Sequence, residues 1–121
     1  MTTDINAPAD SLILKETIQA GIVQLTLNRP PYRHAQPLPQ LTLIEQEIAK
    51  LSQDVATRAV IIRGAGDQAF SAGYDIDALS ARMTLGDDGL TEVDRKRDTV
   101  FRAIECAPFP VIAQISGFCI G

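Results

Sequence analysis

The hydrophobic pattern of this chain alternates between the strand period and the helix period, and this alternation constrains its fold most strongly. In residues 22–27 apolar and polar side chains alternate, which is typical of a half-buried strand. In residues 39–53 apolar side chains recur at spacings of three and four, which indicates an amphipathic helix. The full set of main predicted elements is a strand over 12–18, a strand over 22–27, a helix over 39–53, a strand over 58–64, a helix ending near 106 and a strand over 110–116. This order predicts a layered α/β fold with short right-handed crossovers.

The strands over residues 58–64 and 110–116 are nearly all apolar, and continuous apolarity predicts that they are buried on both faces. Four prolines in residues 29–39 predict an ordered loop without regular pairing.

Between the third strand and the last one, local signals predict shorter features. Residues 77–83 are expected to form a short helix, and residues 84–89 a flexible loop of the kind that acts as a lid. Residues 91–94 resemble a capping box, so the second long helix is expected to begin there. The residues assigned to its helical stripe are Leu90, Val93, Arg97, Val100, Phe101 and Ile104.

Length and composition predict one domain over residues 11–121, preceded by a flexible arm over residues 1–10. A net charge of -4 offers no broad attraction to nucleic acid or anionic lipid, and we expect neither partner. The chain has no run of about 18 apolar residues and no signal-peptide pattern at its start, which favours the cytoplasm.

Cys106 and Cys119 lie in apolar sequence at no metal-ligand spacing, and we expect both to be buried free thiols. With His34 as the single histidine, the residues offer no zinc or iron site, so no metal is expected. His34 lies in a proline-rich loop, where a hydrogen-bonded structural ring, or an exposed one, is favoured over a catalytic base.

The residues with most functional information are 70–76, Phe-Ser-Ala-Gly-Tyr-Asp-Ile, which follow an apolar strand. A turn there can aim backbone N–H groups at one point, and such preorganised donors stabilise negative charge developing on oxygen. Gly73 allows a close backbone approach. Asp75 is well placed to cap the helix that follows. The motif therefore predicts an oxyanion site formed by the main chain.

Four stretches together carry a resemblance to a known family: residues 27–30 (Leu-Asn-Arg-Pro), 60–64, 69–76, and 110–113 continuing to 117–121. In this order they resemble the N-terminal half of the crotonase superfamily, the enoyl-CoA hydratase/isomerase family. The resemblance covers residues 11–121 and implies a truncated α/β, crotonase-like spiral core of ββα turns. It also implies a lyase or isomerase of fatty acid metabolism that acts on acyl-CoA and assembles as a trimer or hexamer.

By the same resemblance, the N–H of Tyr74 would be one oxyanion donor, and the residue after Gly121 would supply the second. The residues implied to contact coenzyme A are Tyr32, Arg33, Ala35, Ala72, Gly73, Tyr74, Asp75 and Ile76. Coenzyme A would enter as part of the substrate, so no separate cofactor is expected. Arg33 is the side chain best able to pair with a phosphate, and its alternative is an exposed, solvated charge.

The chain departs from the family pattern where typical hydratases have alanine and this sequence has Tyr74. Isomerase, hydrolase and lyase reactions therefore stay open. The acid and base carboxylates of the family would lie beyond Gly121, so a truncated, non-catalytic acyl-CoA-binding or assembly module is an alternative. Residues 64–69 also fit a dinucleotide pattern, but that fingerprint needs a helix to open at once, and a tight turn is favoured.

Overall fold

The computed structural model describes residues 11–120, with the backbone alone at Leu90. The arm predicted over residues 1–10 and the final residue Gly121 lie outside this range. The elements in chain order are β1 (Ile13–Gln19), β2 (Ile22–Leu27), a 3-10 turn (Pro30–Tyr32), α1 (Leu38–Ser52), β3 (Ala59–Gly64), β4 (Ala69–Ser71), α2 (Ile76–Met83), α3 (Asp87–Glu105), β5 (Val111–Gln114) and β6 (Phe118–Cys119).

The main sheet has the strand order β1-β2-β3-β5. β1 and β2 form an antiparallel hairpin, whereas β2, β3 and β5 run parallel. α1 connects β2 to β3, and α3 lies on the connection from β3 to β5. The predicted α/β class and the positions of the main helices and strands are therefore confirmed.

One hydrophobic core holds both long helices against one face of the main sheet. Its buried members are Val23, Leu25, Leu27, Leu41, Ile44, Ile48, Leu51, Val60, Ile62, Val100 and Phe109. The residues from α1 follow the spacing of three and four, and those from β2 and β3 follow the spacing of two. Each such side chain contributes about 1.5–3 kcal/mol through burial, so this face dominates the stability of the described region.

A second, two-stranded parallel sheet pairs β4 with β6, and the sequence did not predict it. Strands of three and two residues are too short to show a period. Gly117, with φ +76°, makes the pairing possible, because a Cβ there would lie 2.0 Å from the carbonyl oxygen of Gln68. This small sheet brings the chain near its C-terminal end beside the 70–76 motif.

The prediction for the start of α3 was wrong. The helix begins at Asp87, so the predicted loop over 84–89 is half helical and residues 91–94 lie within the helix. Asp87 and Asp88 occupy the first turn, where acidic side chains interact favourably with the helix dipole. Gly86, with φ +75°, makes the sharp change of direction before it. The residues between α2 and α3 therefore leave little length for a lid.

Three burial predictions also need correction. In β3 only alternate residues are buried, and most of β5 is exposed. Cys106 and Cys119 are exposed free thiols rather than buried ones. For the two strands the physical reason is that both long helices cover the same face of the sheet and β5 is its edge strand within residues 11–120. The cysteines lie outside this sheet, Cys106 directly after α3 and Cys119 in β6. Among these residues, no helix is both long and apolar enough to span a membrane.

Candidate active site

Two loops meet at the motif that the sequence singled out. One follows β2 and ends at Gln36, and the other follows β4 and contains Gly73 and Asp75. The N–H of Gln36 donates to the carbonyl oxygen of Gly73 at 2.8 Å, and the N–H of Asp75 donates to the carbonyl oxygen of Gln36 at 3.2 Å. These bonds form an isolated parallel bridge that holds Tyr74 opposite Gln36.

The bridge determines where the N–H of Tyr74 points. The Gly73 carbonyl and the Tyr74 N–H belong to one planar trans peptide, so they point in opposite directions. Because the carbonyl accepts from Gln36, the N–H of Tyr74 points away from Gln36. Within residues 11–120 this N–H has no hydrogen-bond acceptor. An unpaired backbone donor is unusual in a folded protein unless water or a ligand accepts from it.

The turn is also fixed on its N-terminal side. Gly73 has φ +91°, a conformation that glycine adopts without strain. Its N–H donates to Ser71 Oγ at 3.0 Å, and the Ser71 hydroxyl donates to the carbonyl oxygen of His34 at 3.2 Å. Ser71 is buried, so water competes little for these bonds. The turn that presents the Tyr74 N–H is therefore rigidly held.

His34 is a structural residue, as the sequence favoured. Its ring is 1% exposed, and Nδ1 accepts the N–H of Arg29 at 2.9 Å. Nε2 lies 2.8 Å from the carbonyl oxygen of Ala65. Since Nδ1 is the acceptor, Nε2 must carry the proton and donate to Ala65. With both nitrogens occupied, the ring is not available as a general base.

Asp75 caps α2, as predicted, and it also pairs with Arg29. Its Oδ1 accepts the N–H of Ala78 at 2.9 Å, and its Oδ2 lies 2.7 Å from Arg29 Nη1. The hydrogen bond from Ala78 is the main cause that lowers the pKa of this carboxyl, and Arg29 lowers it further against the opposing effect of burial. Asp75 is therefore ionised at neutral pH, and both of its oxygens make contacts within the protein.

A cavity of about 590 Å³ lies beside the Gly73–Tyr74 peptide. Its lining comes from the small sheet, α1, α3 and the neighbouring loops, and consists of Gln36, Leu41, Phe70, Ser71, Gly73, Tyr74, Val93, Arg97, Phe101, Cys119 and Ile120. Among the residues that the structure describes, the lining is largely apolar and contains no aspartate, glutamate or histidine. Within the described residues an apolar cavity therefore lies beside a peptide whose N–H has no acceptor.

The phenol of Tyr74 is a separate feature of this wall. Its oxygen is buried and has no hydrogen-bond partner within residues 11–120. Desolvation by burial is the main cause that raises the pKa of Tyr74 above its usual value, although Arg82 opposes it. The phenol therefore stays protonated and neutral at physiological pH.

The other residues that the resemblance assigned to coenzyme A contact are divided between different places. Arg33 lines a second cavity of about 290 Å³ with residues 65–69, and its guanidinium carbon lies 4.8 Å from the centre of the Phe118 ring. Tyr32 is 55% exposed. Ala35 and Ala72 are half-buried, and the side chain of Ile76 is exposed at the start of α2.

Sequence reasoning missed several residues of the site. Gln36 forms the bridge to the turn, and Arg29 pairs with Asp75, which lies 46 residues away in sequence. Arg97 and Phe101 were assigned to the apolar stripe of α3, but both are exposed and line the larger cavity. An arginine within that stripe was the one available signal that part of it faces a cavity.

The dinucleotide alternative is not supported by this geometry. β3 is followed by a turn and by β4, and no helix opens at residues 64–69. Such a fingerprint places the pyrophosphate at a helix N-terminus, which is absent here.

Comparison with known proteins decides the family. The family model described as enoyl-CoA hydratase/isomerase matches residues 17–121. The chain belongs to the enoyl-CoA hydratase/isomerase family. Among solved structures, the enoyl-CoA hydratase from Bacillus anthracis superposes with a TM-score of 0.81 at 27% identity, covering 88% of this chain and 40% of that one. The crotonase fold expected from the sequence is therefore confirmed.

Curated members of the enoyl-CoA hydratase/isomerase family that resemble the chain have different reactions in their names. The mitochondrial 3-hydroxyisobutyryl-CoA hydrolase of Bos taurus is 34% identical over 100% of this chain and 31% of its own length. The short-chain-enoyl-CoA hydratase of Clostridium acetobutylicum is 31% identical over 93% of this chain and 41% of its own length. The chain thus spans about a third to two fifths of these relatives.

Proposed function

We propose that this protein processes acyl-CoA thioesters and binds the thioester carbonyl oxygen through the N–H of Tyr74. The observation that carries the proposal is the Gly73–Tyr74 peptide, whose carbonyl is bonded to Gln36 while its N–H has no acceptor within residues 11–120. The same peptide borders the larger cavity, which can receive the acyl group. The two curated relatives described above, a hydrolase and a hydratase, are both named for CoA thioesters.

The chemistry follows from where charge develops. Hydration, isomerisation and hydrolysis of a thioester all place negative charge on the carbonyl oxygen, as an enolate or as a tetrahedral oxyanion. A preorganised N–H stabilises the negatively charged oxygen more than the neutral carbonyl. One such donor stabilises the transition state by about 2.7–4 kcal/mol. In the family pattern the second donor would follow Gly121.

The cavity lining favours an apolar acyl group. Leu41, Phe70, Val93 and Phe101 supply most of the hydrophobic wall. Apolar pockets with few polar groups bind by removing apolar surface from water. We therefore expect binding to strengthen with acyl chain length up to the limit of the cavity.

Arg33 is our candidate for pairing with a phosphate of coenzyme A. Its side chain is exposed beside the smaller cavity, where it is free of any carboxylate within residues 11–120. Arginine binds phosphate through its planar fork of donors. Tyr32, next to it, offers an exposed ring.

The experiment that tests the function measures both binding and products. The protein is incubated with crotonyl-CoA and butyryl-CoA, and products are separated by chromatography. A 3-hydroxyacyl product would indicate hydration, a shifted double bond isomerisation, and free coenzyme A thiol hydrolysis. Calorimetry compares butyryl-CoA with S-butyl-CoA, in which a methylene replaces the carbonyl. Equal affinity for the two ligands together with an absence of products would refute the proposal.

A second candidate is an acyl-CoA-binding module without turnover. The specific observation that favours it is that the part of the cavity lining described by the structure contains no carboxylate or histidine, while His34 has both ring nitrogens in structural hydrogen bonds. General acid or base catalysis needs such a group within hydrogen-bond reach of the substrate. Selective binding of butyryl-CoA with no product would favour this candidate over the enzyme.

We also propose that the protein forms homo-oligomers. β5 is an edge strand of the main sheet within residues 11–120, and Ile112, Ile115, Phe118 and Ile120 near it are exposed. An open edge with apolar side chains is prone to pair with another chain. Sedimentation velocity is expected to show association that increases with concentration, and a compact monomer at all concentrations would contradict this.

A further inference from the structure

The guanidinium of Arg29 joins the two loops of the candidate site. Its Nη1 donates to Asp75 Oδ2 at 2.7 Å and also to the carbonyl oxygen of Ala35. Its planar group lies over the ring of Tyr32, with 4.3 Å between the guanidinium carbon and the ring centre. The side chains of Arg29 and Asp75 are only 15% and 9% exposed, so solvent screens this ion pair weakly.

The two acceptors of Arg29 are the immediate neighbours of the residues that orient the oxyanion donor. Ala35 precedes Gln36, whose N–H fixes the Gly73–Tyr74 peptide. Asp75 follows Tyr74, and its own N–H donates to Gln36. Arg29 therefore holds Ala35 and Asp75 together across the bridge. The direction of the Tyr74 N–H depends on that bridge, because the peptide is planar.

We propose that Arg29 is a positioning residue for the Tyr74 N–H, and that it acts through Ala35 and Asp75 rather than by touching the substrate. The proposal rests on the proposed function, because it concerns the same donor. Asp75 couples the site to α2 as well, since its second oxygen accepts the N–H of Ala78. Through Asp75, Arg29 thus connects the Tyr74 N–H to the start of α2.

The chemistry of arginine suits this role. One terminal nitrogen supplies two donors, and the planar group stacks on Tyr32 at the same time. Lysine would keep the positive charge beside Asp75 but lose the planar stacking. Arg29→Lys is therefore the conservative variant, whereas Arg29→Met removes both donors and the charge.

The test measures the ratio of affinities for butyryl-CoA and S-butyl-CoA by calorimetry. A substitution that only destabilises the fold lowers the concentration of folded protein and weakens the binding of both ligands equally, so the affinity ratio does not change. A substitution that misdirects the Tyr74 N–H weakens only the binding of the ligand that has a carbonyl. For Arg29→Met we expect the ratio to fall by about tenfold, the worth of one hydrogen bond of ordinary strength. Arg29→Lys is expected to recover part of it.

A spectroscopic readout and a matched control accompany the ratio. The carbonyl stretching frequency of bound butyryl-CoA, labelled with ¹³C, should move toward that of the free ligand in Arg29→Met. Lys96→Met is the control, because it breaks another ion pair, with Glu45, without removing a contact to Ala35, Gln36, Tyr74 or Asp75. It should leave the ratio unchanged.

The outcomes separate this inference from the proposed function. If the unaltered protein binds both ligands equally and forms no product, the proposed function and the positioning role both fail. If the unaltered protein prefers butyryl-CoA and Arg29→Met keeps the full preference, only the positioning role is overturned. Should Arg29→Met not fold, the same affinity ratio is measured for the double variant Arg29→Met/Asp75→Asn, which leaves no unpaired buried charge and keeps an acceptor for the N–H of Ala78. A full preference for butyryl-CoA in this variant overturns the positioning role.

Discussion

The free N–H of Tyr74 can be removed by a single atomic change, the replacement of the amide between residues 73 and 74 by an ester. This substitution puts oxygen in place of the N–H and keeps every side chain. The N–H has no acceptor within residues 11–120, so no internal bond made by this donor is lost. Within those residues, the only internal effect is on the Gly73 carbonyl, which becomes a weaker acceptor for the N–H of Gln36.

The magnitudes follow from these bonds. A net hydrogen bond contributes about 0.5–1.5 kcal/mol to stability, so weakening the one from Gln36 should lower the free energy of unfolding by less than about 1 kcal/mol. Loss of the donor to a bound carbonyl should weaken butyryl-CoA binding by about fivefold to tenfold. If the protein turns its substrate over, the rate should fall by about 10²–10³, because the donor acts on developing charge.

An ester at the next position provides the matched control. It removes the N–H of Asp75, which donates to Gln36 at 3.2 Å, and it keeps the N–H of Tyr74. This control is expected to lower the free energy of unfolding by about 1 kcal/mol, while part of the preference for butyryl-CoA over S-butyl-CoA persists because the bond from Gln36 still orients the Gly73–Tyr74 peptide. Urea denaturation gives the first quantity and calorimetry the second.

The reasoning would be refuted by the opposite pattern. If the ester at Tyr74 left the affinity for butyryl-CoA intact, the N–H would not contact the ligand. If that ester lowered stability more than the ester at Asp75 did, the Tyr74 N–H would have a partner inside the protein.

The remaining predictions concern backbone strain, pH and the cavity. Gly73→Val should abolish selective binding of butyryl-CoA in calorimetry, because Gly73 has φ +91°, whereas Gly86→Val, at φ +75° with open space around it, should leave binding unchanged despite similar strain. Loss of binding in both variants would contradict this. The pKa of Asp75 is lowered by the hydrogen bond from Ala78 and by Arg29, so its ionised form stabilises the fold above the ordinary carboxyl pKa of about 3.9, and this stabilisation is lost as the pH falls below that value. Asp75→Asn should flatten the acid end of the unfolding free energy plotted against pH, and an unchanged slope would count against the assignment. Phe101→Ala should weaken binding of octanoyl-CoA more than that of acetyl-CoA, because Phe101 lines the cavity; Ile112→Ala, exposed elsewhere, is the control, and equal effects of both variants would refute the cavity assignment.

Local sequence patterns were sufficient to predict the main strands and helices, because these elements depend mostly on residues that are close in sequence. The alternation in β2 and the spacing of three and four in α1 state which side chains share a face, and the core uses those faces. The cap at Asp75 was predictable for the same reason, since its acceptor and the N–H of Ala78 are three residues apart.

Burial was less predictable, because it depends on what covers each face. The apolar runs at β3 and β5 look alike in sequence, but β3 lies between two strands and β5 at an edge. Cys119 lies in apolar sequence and yet is exposed, since β6 borders an open cavity. The predicted start of α3 was wrong because a capping-box sequence can occur inside a helix as well as at its N-terminus.

The sequence by itself determined the order of strands and helices, the glycine turn at residues 72–75 and the resemblance that placed the chain in its family. Only the tertiary structure decided that the Gly73 carbonyl is bonded to Gln36 while the Tyr74 N–H is left without an acceptor, and that Arg29 pairs with Asp75. The reason is one of range: periodicity and turn chemistry act over a few residues, whereas the direction of one peptide depends on a partner strand far away in the chain.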